Sequence, residues 1–205
     1  MLIKILETIN LGGITIYPLI LLGIIALALI IDKIIFYKKF AILPQNLLNL
    51  IETYQFSWNN FEENLKKLPQ ENCYRRFFMV ILQNKKNPIW WLESRAVDEA
   101  KQIEKSLTKN LWALETIVTA APLLGLLGTI IGMMQAFRLI GNDGLLNPTG
   151  VTAGVAEALI ATALGIFIAL FSLFAFNYFS KFVDQTIEDL ERLGTKTIDH
   201  IKLDI

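Results

Sequence analysis

The sequence predicts an all-α integral membrane protein with three transmembrane helices, two of which extend into a cytoplasmic helical bundle. Three observations carry this. Of 205 residues, 54% are hydrophobic, and 19 basic residues balance 19 acidic ones, an integral-membrane composition. Three uncharged runs each approach the ~20 residues that cross a bilayer as a helix. Beyond two of those runs the apolar residues keep a helical period while charges gather on the opposite face.

The elements are expected in the following order. Residues 1–13 form an N-terminal periplasmic segment, in which Leu2, Ile3, Ile5, Leu6 and Ile9 fit a short interfacial helix ended by Leu11-Gly12-Gly13. Residues 14–36 form the first span; Pro18 lies near its start, where a helix tolerates proline best. A cleaved signal peptide fits less well, because the basic flank is weak and no small-x-small cleavage site follows. Residues 37–114 form a cytoplasmic helical domain punctuated by Pro44, Pro69 and Pro88. Within it Phe61–Leu68 places acids before lysines, as the helix dipole favours, with Asn59 or Asn60 available as cap. After Pro88, Leu92, Ala96, Ala100, Ile103, Leu107, Leu111 and Leu114 hold one period without a breaker, which predicts a single helix running into the second span. Trp90 and Trp91 are expected to pack inside the bundle.

Residues 115–140 are the second span, 141–150 a periplasmic turn around Gly141-Asn-Asp-Gly144, 151–180 the third span, and 181–205 a cytoplasmic C-terminal helix. Val183, Ile187, Leu190, Ile198 and Ile201 continue the period there, and Gly194 weakens it. Lys33, Lys38, Lys39, Lys109 and Lys181 flank span ends on one side, while the turn has no Lys or Arg. The positive-inside rule then puts the N-terminus outside and the large loop and C-terminus inside.

Small residues fall into lines on the hairpin: Ala121, Gly125, Gly128, Gly132 and Ala136, then Ala158, Thr162, Gly165, Ala169 and Ser172. Spacings of three and four put each set on one face, and such faces let backbones approach where lipid supplies no hydrophobic drive. Gly125, Gly128, Gly132 and Gly165 are therefore the helix-packing candidates. Antiparallel pairing about Leu145 sets Thr129 level with Thr162, giving two hydroxyls at one depth. Glu157 is an ionisable side chain inside the hairpin's membrane region, a costly placement that marks an ion-path candidate, though it lies only ~10 Å inside the end of its span. Threonine cannot carry a proton. A channel built on Thr129, Thr162 and Glu157 would need a mid-membrane acid from another chain.

Other function classes find no residues. Zero net charge argues against nucleic-acid binding, which needs a basic face. Cys73 and His200 each stand alone, so one chain assembles neither a disulfide nor a Cys/His metal site. Without a phosphate loop, a nucleophile elbow or a zinc-protease pair, neither catalytic residues nor a cofactor is expected, and the chain is not read as an enzyme.

The segments Ala121-Pro-Leu-Leu-Gly-Leu-Leu-Gly-Thr-Ile-Ile-Gly-Met133 and Gly154-Val-Ala-Glu-Ala-Leu-Ile-Ala-Thr-Ala-Leu-Gly165 resemble, in order and spacing, the paired signature of the MotA/TolQ/ExbB proton-channel family, nearest its ExbB and TolQ branches. The resemblance implies a homopentamer in the bacterial inner membrane whose second and third spans line a central channel. It implies an ExbD- or TolR-like single-span partner that supplies the membrane aspartate, and a TonB- or TolA-like protein that receives the work. By motif position Thr129 and Thr162 correspond to the family's channel threonines, Glu157 to its third-span acid and Asn177 to an asparagine near that span's inner end. Phe171 stands where the family often has proline, so a hinge there does not carry over. The expected function is an ExbB-like motor subunit energising envelope transport through proton-motive force, in TonB-dependent import. The alternatives are a TolQ-type envelope-maintenance subunit and a membrane scaffold that conducts no ions.

Overall fold

The computed structural model describes residues 15–53, 56–138 and 148–203. The expected N-terminal segment 1–13 and most of the turn around Gly141 and Gly144 lie outside the described residues. Everything regular in the described part is helical: α1 (Ile16–Phe40), α2 (Gln45–Glu52), α3 (Trp58–Lys66), α4 (Cys73–Gln83), α5 (Ile89–Thr108), α6 (Leu111–Arg138) and α7 (Pro148–Leu203). Three stretches are long and apolar enough to cross a membrane, one in α1, one ending in α6 and one in α7. The chain divides into two compact units.

The first unit takes the chain through Ile31 together with Asn110–Tyr178. Its interior is made of small residues. Ala121, Gly125, Gly128, Gly132 and Ala136 of α6 are buried, as are Ala158, Ala161, Ala169 and Ser172 of α7. Large apolar side chains such as Leu123, Phe167 and Phe174 point outward, the inverse of a water-soluble core. Lipid, being as apolar as leucine, leaves packing of small surfaces to bring helices together. Pro122 sits within α6, a position that membrane helices tolerate when neighbours satisfy the freed carbonyl.

The second unit takes Asp32–Lys109 with Phe179–Ile205 and is built like a soluble bundle. Leu47, Ile51, Phe61, Leu65, Phe78, Ile81, Leu92, Ile103, Leu107, Leu190 and Leu193 are fully or almost fully buried, at the helical spacings that the sequence displays. Of the short helices α2, α3 and α4, α4 starts on a side-chain cap and the other two do not. At α4 the Asn72 side chain accepts from the amides of Tyr74 and Arg75 at 3.0 and 3.3 Å. At α3 the N-cap is Ser57, and its side chain makes no cap bond. Asn59 and Asn60, expected as caps, lie inside that helix, where the Asn60 carbonyl accepts from Asn64 Nδ2 at 2.8 Å. Cys73 opens α4 and is completely buried. Burial pushes its thiol up to about 12, outweighing the helix N-terminal amides and Arg76, which pull the other way.

Elsewhere in the chain two expectations do not hold. Trp90 is 67% exposed; the two indoles meet edge to face at 5.6 Å, and Arg95 lies over Trp91 at 4.5 Å, so the pair does not pack into this bundle. Gly194 does not interrupt α7, which runs unbroken for 56 residues. It makes room for the Phe77 ring, whose Cζ would stand 2.8 Å from a Cβ at that position. Lastly, the chain from Pro88 to the second span is two helices. α5 ends with Lys109 extended, and Asn110 takes φ 65°, the left-handed conformation that asparagine adopts more readily than most residues. The stop frees the Leu107 carbonyl, which accepts from Lys33 Nζ at 2.8 Å and from Tyr37 Oη at 2.9 Å, both buried.

Candidate channel site on the second and third spans

α6 and α7 meet antiparallel within the first unit, along surfaces that have no room for side chains. A Cβ on Gly165 would stand 2.5 Å from the Ala121 carbonyl oxygen, and one on Gly125 3.0 Å from both the Ala161 carbonyl oxygen and Thr162 Cα. Further along, a Cβ on Gly132 would stand 3.0 Å from Ala158 Cβ and 3.1 Å from the Gly154 carbonyl oxygen. At Gly128 three segments converge, because a Cβ there would meet Ala161 Cβ at 2.6 Å and Thr15 Oγ1, just before α1, at 2.8 Å. Gly125, Gly132 and Gly165 thus lie against the backbone of the facing helix, and Gly128 against the side chains of Ala161 and Thr15.

Sequence reasoning missed Gly154 and Ala161. The α7 contact line runs 154, 158, 161, 165, whereas the line read from the sequence ran 158, 162, 165. Both alternate threes and fours, so spacing alone does not choose between them. Thr162 is therefore at the border of the contact, half-buried, and its hydroxyl donates across to the Gly125 carbonyl at 2.9 Å. Thr129 donates to its own helix, to the Leu126 carbonyl at 2.6 Å. The contacts of Gly128 with Ala161 and of Gly132 with Ala158 put Thr129 within one turn of the depth of Thr162.

The chemistry follows from where the hydrogens go. A hydroxyl has one hydrogen to give and two lone pairs to accept with. Both threonines have spent the hydrogen on a backbone carbonyl, so outward each presents an acceptor. Glu157 is half-buried, one turn from Ala161, with no hydrogen bond or ion pair among the described residues. Ser172, also on the small-residue face, is fully buried, and its Oγ has no hydrogen-bond partner among the described residues. Those residues also hold no group of three or more His, Cys, Asp or Glu side chains placed to bind a metal.

The family model described as the MotA/TolQ/ExbB proton channel family matches residues 69–192, a range that includes Gly125, Gly128, Gly132, Gly154, Gly165, Thr129 and Thr162. An ExbB-like biopolymer transport protein of Synechocystis is 34% identical over 173 residues, 82% of this chain and 81% of that protein. The biopolymer transport protein ExbB of Aquifex aeolicus is 39% identical over 92 residues, 45% of this chain and 62% of its own length. The ExbB of Helicobacter pylori is 38% identical over 104 residues, 51% of this chain and 72% of that protein. The alignment with the Aquifex protein thus leaves more than a third of that relative unmatched. With a matching family model over more than half its length and a relative aligned across most of both chains, the chain belongs to the MotA/TolQ/ExbB proton channel family, whose members are not enzymes.

Proposed function

We propose that the chain is an ExbB-like subunit of a motor in the bacterial inner membrane, a homopentamer surrounding the single span of an ExbD- or TolR-like partner and driven by proton-motive force. In this reading the N-terminus is periplasmic, and residues 37–114 and 181–205 are cytoplasmic. Thr129, Thr162 and Glu157 line the ion path, and Gly125, Gly128, Gly132 and Gly165 hold its wall together. The partner's aspartate carries the proton, and a TonB-like protein receives the work; a TolA-like recipient would make this a TolQ-type subunit. The neighbouring reading frames distinguish the two. Family membership supports the class, and the single structural observation that carries the site is the glycine-to-backbone contact of α6 with α7, with Thr162 bonded across it.

With their hydrogens committed, Thr129 and Thr162 offer acceptors to an approaching carboxyl, which suits its protonated form. Stabilising the carboxylate requires a hydroxyl to leave its carbonyl. The pair thereby favours the neutral acid until that exchange occurs. Hydrogen bonds to charged groups are worth ~1.5–3 kcal/mol, so at ~1.36 kcal/mol per decade the Thr129→Val/Thr162→Val double variant should lose roughly ten- to hundredfold in proton-driven activity. Interhelical hydrogen bonds in membranes average only ~0.6 kcal/mol, so complex levels should stay near normal. The measurement is activity in a complemented deletion strain, with membrane complex quantified in parallel.

One observation favours a second reading, a scaffold that conducts no ions: the Thr162 hydroxyl already has a packing role on the Gly125 carbonyl. Full activity in the double valine variant would remove the pore assignment and favour the scaffold. Proton flux in liposomes gives an independent check, since the channel reading expects low flux from this chain alone and a rise when the single-span partner is added.

A further inference from the structure

The end of α1 sorts its side chains by chemistry. Ile35 and Ile42 are 63% and 55% exposed, and between them along the chain stand Lys38 and Lys39. With Leu68, Pro69 and Asn72 they line a recess of about 520 Å³ within the second unit, a volume in the range of small-ligand sites. Its polar wall is already satisfied: Asn72 Nδ2 donates to the Ile42 carbonyl at 2.9 Å, and its Oδ1 caps α4. Lys39 pairs with Glu71 at 2.6 Å. Lys38 has neither an ion pair nor a hydrogen bond among the described residues.

This combination narrows the occupant. A soluble anion would answer Lys38 but leave Ile35 and Ile42 in water, and a wholly apolar ligand would leave an ammonium at its edge unanswered. An amphiphile with one negative charge answers both. The recess adjoins the end of an apolar helix of membrane-spanning length, where bilayer headgroups meet acyl chains. Because Glu71 neutralises Lys39 and Asp32 is exposed on the same helix, the surplus charge is small, which suits a singly charged phosphodiester better than a phosphate dianion. We propose that this recess seats an anionic phospholipid, its phosphate on Lys38 at the edge of Lys39 and its chains running back along Ile35 toward the apolar part of α1. The proposal depends on α1 spanning the membrane and is independent of the channel reading.

The test uses the full-length protein, delipidated in detergent and titrated with dioleoylphosphatidylglycerol or dioleoylphosphatidylcholine, with bound lipid counted by native mass spectrometry. Phosphatidylglycerol should be retained in preference to phosphatidylcholine. Lys38→Gln should weaken its retention about fivefold, the worth of one lysine near an anionic membrane surface, and Lys38→Arg should restore it. Lys101→Gln/Lys105→Gln, which removes two exposed charges on α5 of the same unit, should leave retention unchanged. Soluble glycerol 3-phosphate in excess should fail to displace the lipid. Equal retention by Lys38→Gln and the unaltered chain, equal loss in the Lys101/Lys105 control, or displacement by glycerol 3-phosphate would each overturn the proposal.

Discussion

At the scale of the residue, one methyl group is enough to probe the α6–α7 contact. Gly165→Ala would push a Cβ to 2.5 Å from the Ala121 carbonyl oxygen, a backbone atom that cannot swing aside, and overpacking of this kind costs ~1–3 kcal/mol. Gly23→Ala would meet only the Ile168 side chain, at 3.4 Å, and should be tolerated. Thermal unfolding in detergent should therefore show a lowered midpoint for the first variant and an unchanged one for the second. Gly194→Ala offers a coupled test in the other unit. The Phe77 ring, edge-on to Phe78 at 5.4 Å, would stand within 3 Å of the new Cβ and would have to turn away from Phe78, so Gly194→Ala should destabilise, and Phe77→Leu in the same chain should recover part of the loss through a coupling that single variants lack. The small residues of α6 were readable from the sequence because glycine stands out in an apolar run. Ala161 was not, since alanine is ordinary in any helix and only its neighbour across the contact gives it meaning.

At the scale of the element, the end of α5 was hidden. Leu107, Leu111 and Leu114 keep their spacing across it, and neither glycine nor proline marks it; one asparagine at φ 65° does the turning. Periodicity reports which side chains share a face, not whether the backbone between them is continuous. What holds the stop comes from α1, some 70 residues earlier in the chain, and no local window contains it. Lys33→Met should leave the Leu107 carbonyl with Tyr37 alone and cost ~1–3 kcal/mol, and adding Tyr37→Phe should cost more than the sum of the two single changes. Asn110→Gly should be near neutral, whereas Asn110→Val should destabilise by ~1–2 kcal/mol for a branched side chain in the left-handed region. Chemical unfolding of the solubilised protein ranks all four. The tail of α7 makes a different kind of link. Lys196 and Arg192 meet Glu52 at the end of α2 at 3.1 and 2.6 Å and hold its carboxyl below the usual carboxylate range, the Lys196 hydrogen bond foremost. A depressed carboxylate contributes stability above its unfolded pKa and loses it as pH falls through the folded one. Amide exchange in α2 should therefore quicken below about pH 4 and in high salt, and Glu52→Gln should remove both dependences.

At the scale of the whole molecule, composition and run lengths were sufficient for an all-helical chain with three membrane-length helices, because bilayer thickness imposes those features on any sequence that crosses it. Assembly is not legible in the same way. The outward face of the first unit carries Leu123, Ile130, Phe137, Phe167 and Phe174, and lipid and a neighbouring copy ask the same apolar chemistry of it. Native mass spectrometry in mild detergent should show a homopentamer, with a smaller assembly when Gly125 or Gly165 is replaced by leucine. Mapping that face needs a probe at chosen positions, and the burial of Cys73 provides for it. The chain has one cysteine, sealed from solvent, with its thiol pushed up to about 12, whereas a maleimide reacts with the accessible thiolate. At neutral pH the unaltered protein should label only after denaturation. It is thus its own blank, and a cysteine introduced at Leu123, Ile130 or Phe167 would report by itself, in the otherwise native sequence, whether that position faces lipid, a neighbouring copy or water.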